Sequence, residues 1–216
     1  MLVVESKYRE IARYIIFMKM AENLAKLSCD PKRQVGALLI KKDFKNVISI
    51  GINGTIPGAS NRRSSMETGS SGLRHAERNC LVMANVTNPK EYMLFCTLSP
   101  CPDCAGDIAV AGIDTVYYKD IYPSGFKAGQ IAMTEADINV ESIWAKLNRL
   151  FTDIVHGSMV LYRESFYSKT ITNEGVTILT KKYLEKFGIP FDDNLDMTDW
   201  KYDFVGSFTK YLYSVV

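Results

Sequence analysis

Apolar residues Ile11, Ile15, Ile16, Met18, Ala21, Leu24 and Ala25 recur at roughly helical spacing, which predicts one long helix over residues 5–27, or two joined near Phe17. Asp30-Pro31 ends that helix, because a residue before proline is pushed out of the helical region. Two apolar runs, QVGALLI at 34–40 and VISIGI at 47–52, flank the charged segment KKDFKN and predict a hairpin. Residues 53–72, NGTIPGASNRRSSMETGSSG, read as a loop, and a loop of that length in a compact domain is functional or disordered. Residues 75–84 then predict a helix, YMLFCTL at 92–98 a strand buried on both faces, and the stretch from Pro102 the helix that follows. A strand at 115–118, a short helix at 127–134 and a last strand at 140–145 continue the alternation, which predicts a three-layer α/β/α sandwich. Beyond Lys146 the pattern weakens; residues 145–155 and 183–187 predict helices and 158–162 a strand. The chain therefore divides into a main domain over 1–146, N-terminal helix included, and an extension over 147–216. Aromatics such as Tyr162, Phe166, Tyr167, Trp200 and Tyr213 suit the extension to packing on the core or on a neighbouring subunit.

With 216 residues, 47% hydrophobic and 23% charged, the chain can bury a full core and has the composition of an ordinary soluble globular protein. Its formal charge of +2 supplies no broad cationic field for a nucleic-acid backbone, so no nucleic-acid partner is expected; a small anionic substrate is compatible. No segment approaches the roughly 20 apolar residues of a membrane span, and charges interrupt MLVVESKYRE too early for a signal peptide. A cytoplasmic protein with no membrane partner is the expectation. Of five cysteines, Cys29, Cys80 and Cys96 read as buried thiols, and the odd remainder argues against a disulfide framework.

The candidate chemistry lies in His75-Ala76-Glu77 and Pro100-Cys101-Pro102-Asp103-Cys104. A catalytic zinc takes three protein ligands of nitrogen or sulfur and leaves its fourth position to water, a count that His75, Cys101 and Cys104 meet. Coordination lowers the pKa of that water towards neutrality. Glu77, two residues after the ligand histidine, is placed to move the protons, a group that a purely structural zinc would not need. Alone, the Cys-x-x-Cys pair would read equally as a structural zinc knuckle or a redox pair; the histidine and carboxylate favour catalysis. Both motifs open predicted helices, whose positive ends favour thiolates. The second of the two histidines, His156, reads as a surface or helix-end residue.

His-x-Glu followed by Pro-Cys-x-x-Cys is the established signature of zinc deaminases. The chain resembles the cytidine deaminase-like superfamily, and within it the deoxycytidylate (dCMP) deaminases, including viral ones. The resemblance also covers Gln34-Val35-Gly36-Ala37, Gly51-Ile52-Asn53-Gly54, Pro57-Gly58, Asn79, the block from Thr97 to Cys104 and Ala111-Gly112-Ile113, spanning about residues 17–145. It implies a central five-stranded mixed sheet, a catalytic zinc and hydrolysis of dCMP to dUMP and ammonia, feeding thymidylate synthesis. By the same resemblance Asn53 faces the nucleotide, Tyr122 packs near the base, Ser99 offers its carbonyl to the exocyclic amine and Arg33 holds the phosphate, with Arg62, Arg63, Arg74 and Lys127 as alternatives. It further implies dCTP and dTTP as effectors, each bound with magnesium, and a homo-oligomer, commonly a hexamer. The chain departs from the family in carrying Ile52 where Tyr is common and Cys80 where Ala is usual, and no Cys or His in residues 53–72 offers a second, structural zinc site. Two rival readings stand beside this one: a tRNA-adenosine or other nucleic-acid deaminase, which shares both motifs, and a catalytically idle zinc module that binds nucleotides or partner chains.

Overall fold

The computed structural model describes residues 2–56, 58–67, 70–159, 181, 184–185 and 204–216. The chain forms two compact units, Ile16–Ile143 and Met1–Ile15 with Trp144–Val216. Helix α1 (Leu2–Ala25) is a single helix with no joint at Phe17, and Asp30 lies outside it.

Within Ile16–Ile143 the five strands are β1 (Gly36–Lys41), β2 (Val47–Ile52), β3 (Tyr92–Leu98), β4 (Thr115–Asp120) and β5 (Asn139–Ser142). They form one sheet in the order β2-β1-β3-β4-β5. β1 runs antiparallel to β2 and β3, whereas β3, β4 and β5 are parallel, so the sheet is mixed. Parallel neighbours need a crossover, which α3 (Pro102–Val110) and α4 (Phe126–Glu135) supply. Helix α2 (Ala76–Val82) follows the long loop, and a short 3-10 turn over Pro89–Glu91, not evident from the pattern, leads into β3.

Strand alternation explains the layers. Ala37, Leu39, Leu94, Cys96 and Val116 bury one face of the sheet against Ala76, Cys80, Ala105, Ile108 and Met133 from α2, α3 and α4. On the other face Phe95 packs on Phe17 of α1 and on Tyr117, with ring centroids 6.2 Å and 5.4 Å away. β3 is thus apolar on both sides, as its unbroken YMLFCTL run requires. Helix α2 approaches β2 so closely that a Cβ at Gly51 would lie 2.1 Å from the Ala76 carbonyl oxygen; only glycine allows the contact that seats the His75-Glu77 segment on the sheet.

In the other unit, α5 (Ile143–Met159) corrects two expectations. The last strand stops at Ser142 instead of 145, and Ser158 and Met159, expected in a strand, close the helix. Ile143, Leu147, Leu150 and Phe151 are buried at spacings of four, three and one, a helical stripe that overrides the β-branched start of the segment. Helix α6 (Phe204–Val215), absent from the expectations, buries Phe208, Leu212 and Tyr213 in the same manner. Phe151 stacks on Phe208 and Trp144 packs on Tyr213, each at 4.6 Å between centroids. Leu184 and Glu185 are helical, while the rest of the helix expected at 183–187 and residues 160–162 of the expected strand lie outside the described residues. Among the described residues no helix is long and apolar enough to cross a membrane.

Candidate active site

Two helix N-termini converge to build the site. His75 is the residue that caps α2 and Cys101 the one that caps α3; both have extended backbones, and neither side chain is used in capping. Cys104 lies one turn further along α3, and Pro102 opens that helix where its missing N–H costs nothing. His75 Nδ1 is 3.2 Å from Cys104 Sγ and 3.4 Å from Cys101 Sγ, and the three donor atoms all lie within 4.8 Å of one another. A tetrahedral zinc with bonds of about 2.0–2.3 Å sets neighbouring donors roughly 3.5 Å apart, so this triangle of one nitrogen and two sulfurs fits the ion. Among the described residues it is the only such grouping of His, Cys, Asp and Glu.

The electrostatics suit a cation. The Cys101 thiol is driven down to about 4, chiefly by its hydrogen bond with Cys104, against the cost of burial, and with further help from His75. Cys104 moves up, as the partner that keeps its proton. His75 is raised by its bond to the Cys101 sulfur. Glu77, 4% exposed in the first turn of α2, has its carboxyl pushed up by burial. Cys80, pushed up to about 11, and Cys96, pushed well above its ordinary value, are raised by burial and are inert core thiols. Cys29 is half-buried, against the expectation of a buried thiol, because its segment follows the end of α1 at the surface.

Beyond the metal triangle, Arg33 and Tyr122 come together: the exposed guanidinium carbon lies 5.1 Å from the ring centroid, within cation–π reach. The Tyr122 amide donates to Ser99 Oγ at 2.8 Å, and the Ser99 amide donates to the Asp120 carbonyl, also at 2.8 Å. Gly125 separates the Tyr122 ring from Cys101, since a Cβ there would lie 2.8 Å from the ring and 3.5 Å from Cys101 Cβ. The Tyr122 ring thus lies across Gly125 from Cys101, with Ser99 bonded to the Tyr122 amide and Arg33 against the ring.

Asn53 is buried and largely committed to the protein. Its Oδ1 accepts from the Val35 amide at 2.8 Å, while Nδ2 donates to the Arg33 carbonyl at 2.8 Å and to Asp30 Oδ2 at 3.2 Å. One Oδ1 lone pair remains for a ligand. Of the alternative phosphate holders, Arg63 is ion-paired with Asp30 at 2.6 Å and Arg74 donates to Asn79 Oδ1 at 2.9 Å, while Arg62 and Lys127 are exposed. Asp30 was read in sequence only as a helix stop, yet it is buried and central here. Burial alone would raise its carboxyl; hydrogen bonds from the Lys32 amide, the Arg63 guanidinium and the Arg33 amide outweigh that and hold it below its ordinary value. The side chain of His156, in α5, lies outside the described ones.

The converging motifs define a zinc-dependent hydrolase site, and comparison with known proteins agrees. The family model for the cytidine and deoxycytidylate deaminase zinc-binding region matches residues 12–120, half of the chain; the protein belongs to that family. The human deoxycytidylate deaminase is 29% identical over 148 residues, covering 63% of this chain and 83% of that protein. An uncharacterised deaminase of Aliivibrio fischeri is 35% identical over 103 residues, covering 47% of this chain and 68% of its own length. Among solved structures, the dCMP deaminase of cyanophage S-TIM5 in complex with dCMP and dUMP is similar with a TM-score of 0.52 and 35% identity, over 59% of this chain and 93% of that one.

Proposed function

We propose that this protein hydrolyses dCMP to dUMP and ammonia, supplying dUMP for thymidylate synthesis. The observation that carries the reading is the gathering of His75 Nδ1, Cys101 Sγ and Cys104 Sγ into one triangle beside the buried carboxyl of Glu77. His75, Cys101 and Cys104 would hold the zinc. When bound, zinc acidifies a water and supplies the nucleophile for C4 of cytosine. Glu77 would take a proton from the attacking water and deliver it to N3 of the ring, then take the proton of the new C4 hydroxyl and pass it to the departing N4 amine. Burial of Glu77 excludes competing water from these transfers. The Ser99 carbonyl, for which no hydrogen bond is found among the described residues, accepts from the exocyclic amine and orients it. Tyr122 offers an aromatic face to the base, and Asn53 offers its remaining Oδ1 lone pair to the nucleotide. Arg33, exposed above Tyr122, takes the phosphate; an arginine fork suits that anion. The likeness to a cyanophage enzyme crystallised with dCMP and dUMP supports this substrate.

The resemblance of the sequence to the dCMP deaminases supports assembly as a homo-oligomer, a hexamer, with dCTP and dTTP as effectors carrying magnesium on their phosphates. Ile52, in place of the common tyrosine, alters the surface such effectors would meet. Zinc-loaded protein incubated with dCMP, dCTP, cytidine and a tRNA stem-loop should release ammonia from dCMP. Release from the RNA alone would replace this reading with the nucleic-acid deaminase. Adding dCTP or dTTP with magnesium to the dCMP assay, and light scattering on the full chain, test the effectors and the assembly.

A further inference from the structure

We propose that the Asp30–Arg63 ion pair is a positioning device for the nucleotide end of the site, acting through Asn53 on Arg33; the inference rests on the assignment of Arg33 to the phosphate. Asp30 and Arg63 are 4% and 9% exposed in their side chains and meet at 2.6 Å. Charges withdrawn from water this far persist only when paired, so the pair fixes the geometry of whatever carries it. Arg63 belongs to the 53–72 loop, which contains no helix or strand among its described residues beyond the bridge from Gly54 to Arg74. Its Nε donates to the Ser65 carbonyl at 2.9 Å, so one guanidinium both folds the loop on itself and moors it to Asp30. A second mooring runs from Lys32 Nζ to the Met66 carbonyl at 2.8 Å.

Asp30 then hands the constraint on. Its Oδ1 accepts from the Lys32 amide at 2.9 Å, and its Oδ2 accepts from Asn53 Nδ2 as well as from Arg63. The same Asn53 amide grips the backbone on both sides of Gln34, receiving the Val35 N–H and donating to the Arg33 carbonyl. Ser28 closes the ring, donating through Oγ to the Asn53 carbonyl at 2.8 Å and accepting from the Asp30 amide at 3.2 Å. Arg33 is thereby held at its backbone, while its side chain reaches over Tyr122. Arg63, with its guanidinium buried and shared between Asp30 and Ser65, is not placed to grip a phosphate itself.

The test compares zinc-loaded wild type with Asp30→Asn, Arg63→Gln, Arg63→Lys and Arg33→Ala. Asp30→Asn and Arg63→Gln should raise KM for dCMP and the inhibition constant of dUMP by about tenfold or more, with kcat within about threefold, the pattern of lost binding without lost chemistry. Combining Asp30→Asn with Arg33→Ala should add little to Arg33→Ala alone, because both remove one contact. Hydrogen exchange should quicken at Val35 and at amides 54–67 in Asp30→Asn. Arg63→Lys keeps the charge and should retain part of the wild-type KM, which secures the reading should the bolder variants fold poorly. If Arg33→Ala raises KM but neither Asp30→Asn nor Arg63→Gln does, or if these lower kcat at constant KM, the positioning role is overturned. If wild type leaves dCMP intact, or Arg33→Ala leaves KM unmoved, it is the proposed function or the phosphate assignment that fails.

Discussion

The metal triangle and the nucleotide rim are built by different means. His75, Glu77, Cys101 and Cys104 sit at the cap or in the first turn of α2 and α3, so backbone geometry aims them. The rim around Arg33, Asn53 and Tyr122 is aimed by side-chain hydrogen bonds between distant positions, such as Asp30 and Arg63, 33 residues apart. A site aimed by backbone fails all at once when a ligand is lost. A site aimed by side chains loosens by degrees, since several bonds share the work.

Cys104→Ala should give the largest effect, loss of zinc from the purified protein and no detectable dCMP turnover, read by metal analysis and an ammonia assay. Glu77→Gln should keep one zinc per chain yet lower kcat by about 10²–10⁴-fold, the usual scale of general acid–base catalysis. Appreciable turnover in that variant would remove the carboxylate from the mechanism. Together the two variants separate holding the metal from using it. Gly51→Ala strikes the support of the triangle, not its ligands. The new Cβ meets backbone of α2 at 2.1 Å, which no rotamer change can relieve, so unfolding free energy should drop by about 3 kcal/mol in denaturant melts.

The same contrast decides what could be read from the chain. Zinc ligands separated by two residues, next to a proline that starts a helix, are a local pattern, and the unbroken apolar run of β3 was equally local. The Asp30–Arg63 pair was not legible, because nothing near Asp30-Pro31 announces a partner inside a Ser- and Gly-rich loop. Arg63 consequently read as a phosphate candidate, whereas the structure spends its charge internally. Asn53 illustrates the intermediate case: its Gly-x-Asn-Gly setting marked it as special, but its three protein partners depend on tertiary contacts. In α5 the buried stripe at helical spacing was legible over 145–155, whereas in α6 the aromatic content obscured it.

The smallest effect expected is a pH dependence located at the rim. Asp30 is held below its ordinary value of 3.8, so the folded state binds its proton less readily than the unfolded chain. Such a group contributes stability in full above 3.8, and the contribution is lost as pH falls through the lower, folded-state value. Asn at this position cannot titrate. Wild type should therefore exceed Asp30→Asn by about 2 kcal/mol at neutral pH, the scale of hydrogen bonds to a charged group, and the gap should close as the pH drops below 3.8. Denaturant melts of both proteins from pH 7 to pH 3 (about the acid limit of such buffers) measure it, and other carboxylates such as Asp114 cancel in the difference. A gap that stays constant through the acid range would mean that Asp30 acts by packing and hydrogen bonding alone, without its charge, and would make the rim as dependent on backbone shape as the metal triangle is.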